Sequence, residues 1–342
     1  MKALILGCSG PRLADAERAL FKEADPWGFI LFKRNIGTPD EVRSLTASLR
    51  DCVGRADVPI LIDQEGGRVQ RMRAPHWTSY PAGSVYGQLA EQDPLMRRAL
   101  AWQGARLIAH DLYEVGINVN CAPILDVPVA GANDVIGDRA YHNDPAVVSV
   151  LGRAVAEGYL AGSVLPVIKH IPGHGRGNAD SHLSLPVVEA SAETLVTHDF
   201  VPFRALADMP IAMSAHIVFT AFDRERPATV SPVVIENIIR GEIGFDGLLL
   251  SDDLSMNALQ GSIPMRAKAA LAAGCDIALH CNGDFDEMTA LIPEVAELSG
   301  NALRRANAAL QRINHPPEPF DPVEGRTRLE TALANLASTI NA

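Results

Sequence analysis

Short apolar runs alternate with helix-forming segments from one end of the chain to the other, and this rhythm constrains the fold more than any other feature. Lys2–Gly7, Phe29–Phe32, Val58–Ile62, Asn118–Val127, Val164–Ile168, Ile211–Val218, Gly247–Leu250 and Ile277–His280 are eight such runs. They are near-continuously apolar, as strands buried on both faces are. Helical segments follow most of them: Ala14–Glu23, one opened by Thr38-Pro39-Asp40-Glu41, Pro94–Val115, one opened by Asp144-Pro145, Ser191–Leu206, one running from Ser231-Pro232 to Arg240, and Pro264–Ala273. Helical patterns then fill Phe285–Ile313. A cap residue followed by proline and first-turn acids marks several of the starts. Repeated strand–helix units imply a parallel sheet covered by helices. Eight of them predict an α/β fold closed into a single (β/α)8 TIM-type barrel, with an open doubly wound sheet as the alternative. No linker or low-complexity tract divides the 342 residues, and the tail is expected to be a short C-terminal extension.

Composition narrows the function. Hydrophobic residues at 47% and charged residues at 21% give ample material for a large core. A formal charge of −11 argues against a nucleic-acid-binding surface, which needs clustered Lys and Arg, but leaves room for a local basic pocket. Five scattered cysteines with no Cys-x-x-Cys pair read as reduced core thiols of a cytosolic protein. The start of the chain, through Cys8, is too short an apolar run for a lipoprotein signal and reads as a first strand. No run approaches the roughly 18–20 apolar residues of a membrane span. A soluble, cytoplasmic chain is expected.

The polar residues fall at the strand ends. Run three leads into Asp63-Gln64-Glu65-Gly66-Gly67-Arg68, run four ends at Asp126, and run five ends at Lys169-His170, followed by Ile171-Pro172-Gly173-His174-Gly175. Ser214 and His216 lie in run six, Ser251-Asp252-Asp253 ends run seven, and His280 and Asn282 end run eight. In a parallel barrel these C-terminal ends share one rim, where active sites are built. Each residue also has a plainer reading. Asp63 and Asp126 could cap the next segment or pair with an Arg, and one of Asp252 and Asp253 could cap a helix. His216 and His280 could be satisfied core histidines. Lys169 after an apolar run is costly unless a partner or ligand takes its charge.

His170, His174 and His182 are the only candidate metal set weighed, and they lack a dedicated spacing, so no metal is expected. The dinucleotide fingerprint, the P-loop and the Gly-x-Ser-x-Gly elbow are absent from the sequence. What remains is a set of carboxylates and histidines suited to a many-hydroxyl ligand. Glycoside cleavage needs a carboxylate beside the anomeric carbon and a proton donor for the leaving oxygen. Asp252 can supply the first. His182, two residues after Asp180 in a glycine-bearing loop, suits the second, because a nearby carboxylate orients an imidazole and raises its basicity. The loop Gly173–His182 has few apolar anchors and is expected to be a mobile lid.

Four motifs in order, Asp63-Gln64-Glu65-Gly66-Gly67-Arg68-Val69-Gln70-Arg71, Lys169-His170-Ile171-Pro172-Gly173-His174-Gly175, Ala179-Asp180-Ser181-His182 and Ser251-Asp252-Asp253-Leu254-Ser255-Met256, resemble the β-N-acetylglucosaminidase branch of glycoside hydrolase family 3, and most of all its bacterial cytoplasmic members that recycle peptidoglycan. The resemblance covers residues 1–315 as a catalytic barrel and leaves 316–342 as an extension, helical or partly ordered. It implies Asp252 as nucleophile, His182 as general acid/base and Asp180 as its partner. It implies Asp63, Arg71, Arg139, Lys169 and His170 as sugar-binding residues. It further implies a retaining exo-enzyme that removes terminal N-acetylglucosamine (GlcNAc) from GlcNAc-anhydro-muropeptides. The expected partner is that small carbohydrate alone, without cofactor, nucleic acid or membrane, and the chain is expected to be a monomer or weak homodimer. Two alternatives stay open: a phosphorylase that uses phosphate in place of water, and a non-catalytic sugar-binding barrel.

Overall fold

The computed structural model describes residues 1–89, 94–181 and 184–340, with side chains described up to 336. Eight strands close a parallel barrel: β1 (Lys2–Gly7), β2 (Pro26–Leu31), β3 (Ile60–Ile62), β4 (Val119–Asn120), β5 (Leu165–Ile171), β6 (Ile211–Ser214), β7 (Leu248–Asp253) and β8 (Ile277–His280). Each pairs with its neighbours in chain order, and β1 closes on β8 with Leu4 opposite Ala278 and Leu6 opposite His280. Every residue of β2, β3, β5, β6 and β8 is buried. Barrel strands are covered by side chains inside and helices outside, so the alternation of a half-exposed sheet disappears. Burying one Leu, Ile or Phe side chain in such a core contributes about 1.5–3 kcal/mol.

The helix starts follow their local chemistry. Thr38 Oγ1 accepts from the Glu41 N–H while Glu41 Oε2 accepts from the Thr38 N–H, a reciprocal cap on helix Pro39–Val53. Asp144 Oδ1 takes the Ala146 N–H at 2.8 Å at the head of Pro145–Ala161, and Ser231 Oγ takes the Val234 N–H at 3.2 Å at the head of Val234–Glu242. Pro94–Tyr113 and Ile263–Ala273 match the expected helices within two residues.

Three expectations change. Run six ends its barrel strand at Ser214, and Val218–Phe219 pairs with Val187–Val188 in a separate two-stranded sheet. The fourth run is a two-residue ladder strand rather than Asn118–Val127. Beyond Asn120 the chain still tracks β5: Val167 N and Lys169 N donate to the carbonyls of Ala122 and Pro123, and Leu125 N donates to Lys169 O. Pro123 has no N–H to give to a ladder, so the pairing is irregular there. The pattern over Phe285–Ile313 is split into Phe285–Leu291, a turn at Ile292–Glu294 and Gly300–Gln311, because the chain between them returns to bridge β1 at Lys2 and Glu297.

The C-terminal helix, Pro322–Ile340, packs on Pro94–Tyr113. Leu329 is buried, Arg326 pairs with Asp111 at 2.7 Å, and Arg106 lies over the Phe320 ring at 4.7 Å. All five cysteines are unbridged and buried. No helix among the described residues is long and apolar enough to cross a membrane.

Candidate active site

β3 ends at Ile62, and the chain passes Asp63 into a tight antiparallel hairpin, Gln64–Gly66 against Val69–Gln70. Gly66 turns it at φ 101°, and a Cβ there would lie 2.2 Å from the Pro81 carbonyl oxygen, so only glycine fits. Buried Gln64 staples the hairpin: its Oε1 accepts from the N–H groups of Arg71 (2.8 Å) and Met72 (3.0 Å), and its Nε2 donates to Met72 O. This brings Asp63, Glu65 and Arg71 to one side of the barrel mouth.

Lys169 at the end of β5 meets both acids, 2.8 Å from Asp63 Oδ1 and 2.9 Å from Glu65 Oε1. Arg71 Nη2 lies 3.0 Å from Asp63 Oδ2, and Arg139 grips Glu65 through Nε and Nη2, each at 2.9 Å. Burial works against both carboxylates. The cations overcome it, Lys169 and Arg71 for Asp63 and Arg139 and Lys169 for Glu65, so both stay below the usual carboxylate range. Burial likewise disfavours the Lys169 ammonium, and Asp63 and Glu65 hold its pKa above the usual lysine value.

Asp126, fully buried, organises the next strand end. Its Oδ2 is 2.7 Å from His170 Nδ1, and its Oδ1 accepts from the backbone N–H groups of His170 (3.1 Å) and His174 (2.6 Å). Burial opposes its charge, yet His170 and these contacts hold it at about 2. The capping reading of Asp126 is thus met by the backbone of the motif itself, and it also orients a ring. Burial pushes His174 down to about 4, and its Nδ1 has no hydrogen-bond partner among the described residues.

The two acids at the end of β7 have different surroundings. Asp253 is tied down: its Oδ1 accepts from the N–H groups of Ser255 and Cys281, both at 3.1 Å, and its Oδ2 from the Ser255 hydroxyl. Asp252 takes one hydrogen bond among the described residues, from Asp253 N to Oδ1 at 2.8 Å. Burial raises its pKa, but His216, His170, Lys169 and that N–H outweigh it, leaving Asp252 below the usual carboxylate range and charged near neutral pH.

The segment after β5 differs from the loosely held loop expected. Gly173–Gly175 is buried, and a Cβ on Gly175 would lie 1.9 Å from Val127 O. Arg176 clamps Asp199 at 2.7 Å, Asn133 N donates to Gly177 O at 2.9 Å, and Asn178 Oδ1 accepts from Val187 N at 2.9 Å. The base of the segment is therefore part of the packed rim. His182 lies outside the described residues.

These elements enclose a cavity of about 300 Å³. Asp63, Arg71, Arg139, Lys169, His170, Asp180 and Asp252 all line it, so the structure brings together every site residue expected from the sequence except the undescribed His182. Glu65 and His174 line it too and were not assigned. Glu65 was legible in principle, since in an extended segment it shares a face with Asp63 two residues earlier. His280 does not line the cavity; its Nε2 is 2.9 Å from Glu287 Oε2, in keeping with the core reading. The rings of His170 and His174 lie 5.8 Å apart, and no group of three metal-ligating side chains gathers among the described residues.

Fold and cavity define a TIM-barrel enzyme whose site is an ion-paired basin, with one loosely bonded carboxylate in its lining. The chain belongs to glycosyl hydrolase family 3: the family's N-terminal domain matches residues 3–315. It is 41% identical over 283 residues to a beta-hexosaminidase of Alkalilimnicola ehrlichii, covering 82% of this chain and 80% of that one. It is 40% identical over 292 residues to a beta-hexosaminidase of Methylococcus capsulatus, covering 84% of each. Among solved structures, NagZ from Neisseria gonorrhoeae in complex with N-trifluoroacetyl-D-glucosamine matches with a TM-score of 0.84 at 31% identity, over 98% of this chain and 97% of that one. A family 3 beta-N-acetylglucosaminidase from Paenibacillus sp. matches with a TM-score of 0.86 at 30% identity, over 96% of this chain and 67% of that one. The chain is a glycoside hydrolase, a β-N-acetylhexosaminidase.

Proposed function

We propose that the chain is a retaining exo-β-N-acetylglucosaminidase that removes terminal GlcNAc from peptidoglycan fragments, the GlcNAc-anhydro-muropeptides, in the cytoplasm. The observation that carries this reading is the contrast at the end of β7. Both acids there line the cavity, but Asp253 is engaged through both carboxylate oxygens by its neighbours, whereas Asp252 is a charged carboxylate with one oxygen outside any hydrogen bond among the described residues. A nucleophile needs both the charge and the open lone pair. The cavity volume, at the low end of the roughly 300–1,000 Å³ of small-molecule sites, favours a single terminal sugar.

Asp252 attacks the anomeric carbon, and the glycosidic C–O bond breaks with its electron pair on the departing oxygen. His182 gives that oxygen a proton. It then acts as base, taking a proton from the water that displaces Asp252, so the two inversions retain configuration. The placement of Asp180 and Ser181 on the cavity wall supports this role, because the next residue in the chain is His182. Asp63, Arg71, Arg139, Lys169 and His170 hold the sugar hydroxyls; contacts among Asp63, Arg71 and Lys169, and with Glu65 and Asp126, fix them before the sugar arrives. The reaction as written calls on no cofactor or metal, and the chain acts as a monomer or weak homodimer.

NMR observation of the first product anomer tests the mechanism. β-GlcNAc appearing first is expected, and α-GlcNAc appearing first would overturn retention. Repeating the reaction with inorganic phosphate separates hydrolysis from phosphorolysis, since a phosphorylase yields GlcNAc-1-phosphate. Competition between an anhydro-muropeptide and a chitooligosaccharide tests the substrate class, with the muropeptide expected to have the higher kcat/KM.

A further inference from the structure

His216 stands two residues beyond β6, fully buried and outside the cavity lining, yet it adjoins the segment that carries Asp252. Its Nε2 lies 3.0 Å from the main-chain carbonyl oxygen of Asp253. A carbonyl can only accept, so Nε2 carries the hydrogen. Its Nδ1 lies 2.8 Å from the Thr229 hydroxyl. Thr229 Oγ1 is in turn 2.8 Å from Ser214 Oγ and 3.1 Å from Ala215 O, and Thr229 and Ser214 are fully buried. The groups facing the ring are Asp252 and Asp253 from β7 and His170 from β5, and burial keeps His216 below the usual histidine range, hence neutral near pH 7. A neutral ring that donates from Nε2 must accept at Nδ1. The Thr229 hydroxyl has one hydrogen and two acceptors within reach, His216 Nδ1 and Ala215 O; given to the ring, it makes Nδ1 the acceptor and leaves Nε2 as the donor that the Asp253 carbonyl requires.

That carbonyl matters because of what the rest of Asp253 does. Its side chain is anchored to Ser255 and Cys281, and its N–H is the donor that sets the Asp252 carboxylate. With the side chain and the carbonyl both held, the Asp253 residue that bears this N–H is anchored from two sides.

We infer that His216 is a positioning residue for the glycosidase reaction, with Thr229 selecting its Nε2–H tautomer, so that the Asp253 N–H aims Asp252 at the anomeric carbon. The inference rests on Asp252 being the nucleophile proposed above. The His216 ring nitrogens contact Thr229 and the Asp253 carbonyl and no residue proposed to hold the sugar, so the effect is expected in the chemical step. A displacement of about 1 Å at a nucleophile costs about 100-fold in rate.

The test uses His216→Ala, His216→Gln, Thr229→Val and Asp252→Ala in the full chain, with kcat and KM on a chromogenic N-acetylglucosaminide and circular dichroism to confirm folding. Ala removes the donor; Gln keeps an N–H to reach the Asp253 carbonyl. The expected result is a kcat loss of about 100-fold in His216→Ala with KM within about threefold, and recovery to within about tenfold of wild type in His216→Gln. The ring-nitrogen NMR spectrum of the wild type should show His216 protonated at Nε2 alone, and Thr229→Val should perturb that signature and lower kcat. If His216→Ala does not fold, His216→Gln and Thr229→Val decide by the same readouts. Wild-type kcat in folded His216→Ala, losses in KM alone, no recovery with Gln, or a ring protonated at Nδ1 alone would each overturn the inference. Full activity in Asp252→Ala would instead overturn the nucleophile assignment, and the two failures are distinguishable.

Discussion

Lys169 Nζ stands 2.8 Å from Asp63 Oδ1 across 106 residues of sequence, with the lysine side chain 3% exposed. The pair joins β5 to the hairpin after β3, and removing Asp63 leaves buried Lys169 with Glu65 as its one acid and strips Arg71 of its partner. Asp63→Asn is expected to destabilise the chain by about 1.5–3 kcal/mol at neutral pH, because Glu65 still faces Lys169. Asp63 and Glu65 have depressed pKa values, so their contribution is present above the unfolded value near 4 and is lost as pH falls toward the folded value. The Lys169 pKa is raised, so its contribution is present below about 10.4 and fades only as pH rises toward its folded value. Chemical denaturation of wild type and Asp63→Asn checks this. The gap at pH 7 should narrow by about 1 kcal/mol at pH 3, and a constant gap would show that the pair is not the cause.

Asp126 is expected to act on sugar binding through His170. In Asp126→Asn the backbone N–H contacts can survive on Oδ1, but the amide offers a donor to His170 Nδ1 where the carboxylate offered an acceptor. Loss of a hydrogen bond to a charged group costs about 1.5–3 kcal/mol, so kcat/KM should fall about 10- to 100-fold, mostly through KM. A change confined to kcat would place His170 in the chemical step instead.

Asp252 and Asp253 should separate cleanly. Asp252→Asn is expected to lose at least about 1,000-fold in kcat while unfolding at the wild-type temperature. Asp253→Asn should keep more activity and lose about 1–3 kcal/mol of stability, because its carboxylate is spent on Ser255 and Cys281. The reverse pattern would move the nucleophile to Asp253.

His182→Ala and Asp180→Asn are expected to slow glycosides with poor leaving groups by about 100-fold or more, and those with an activated phenol far less, since the phenol departs without a proton. Rates on both substrate classes provide the comparison. Equal losses on the two would mean that His182 positions the sugar and that the proton comes from another group, with His174 on the cavity wall the first to examine.

The strand–helix rhythm and the rim that carries the polar residues are legible in the order of residues, with closure into a barrel favoured over an open sheet. Strand and helix periodicity act over a few residues, as do caps such as Thr38 with Glu41 and Asp144 with Ala146, so they are written locally and read locally. The polar strand ends share one rim for the same reason: parallel strands have only one C-terminal face. Tertiary structure alone decided what each polar group does there. Asp252 and Asp253 are adjacent and chemically identical in the sequence. They diverge because Cys281, 28 residues on, donates to one and not the other. The sequence leaves Asp126 open between a cap and a site residue, and folding sets it 2.7 Å from a ring 44 residues away; His216 is the satisfied core histidine that is one of its two readings, and only the fold shows that its Nε2 meets the Asp253 carbonyl. The loop Gly173–His182 is expected from its composition to be mobile, yet its base is held, because the anchors Val127, Asn133 and Asp199 lie on other elements. Hydrogen bonds and ion pairs are short-range forces, and between strands they exist only once the barrel has closed.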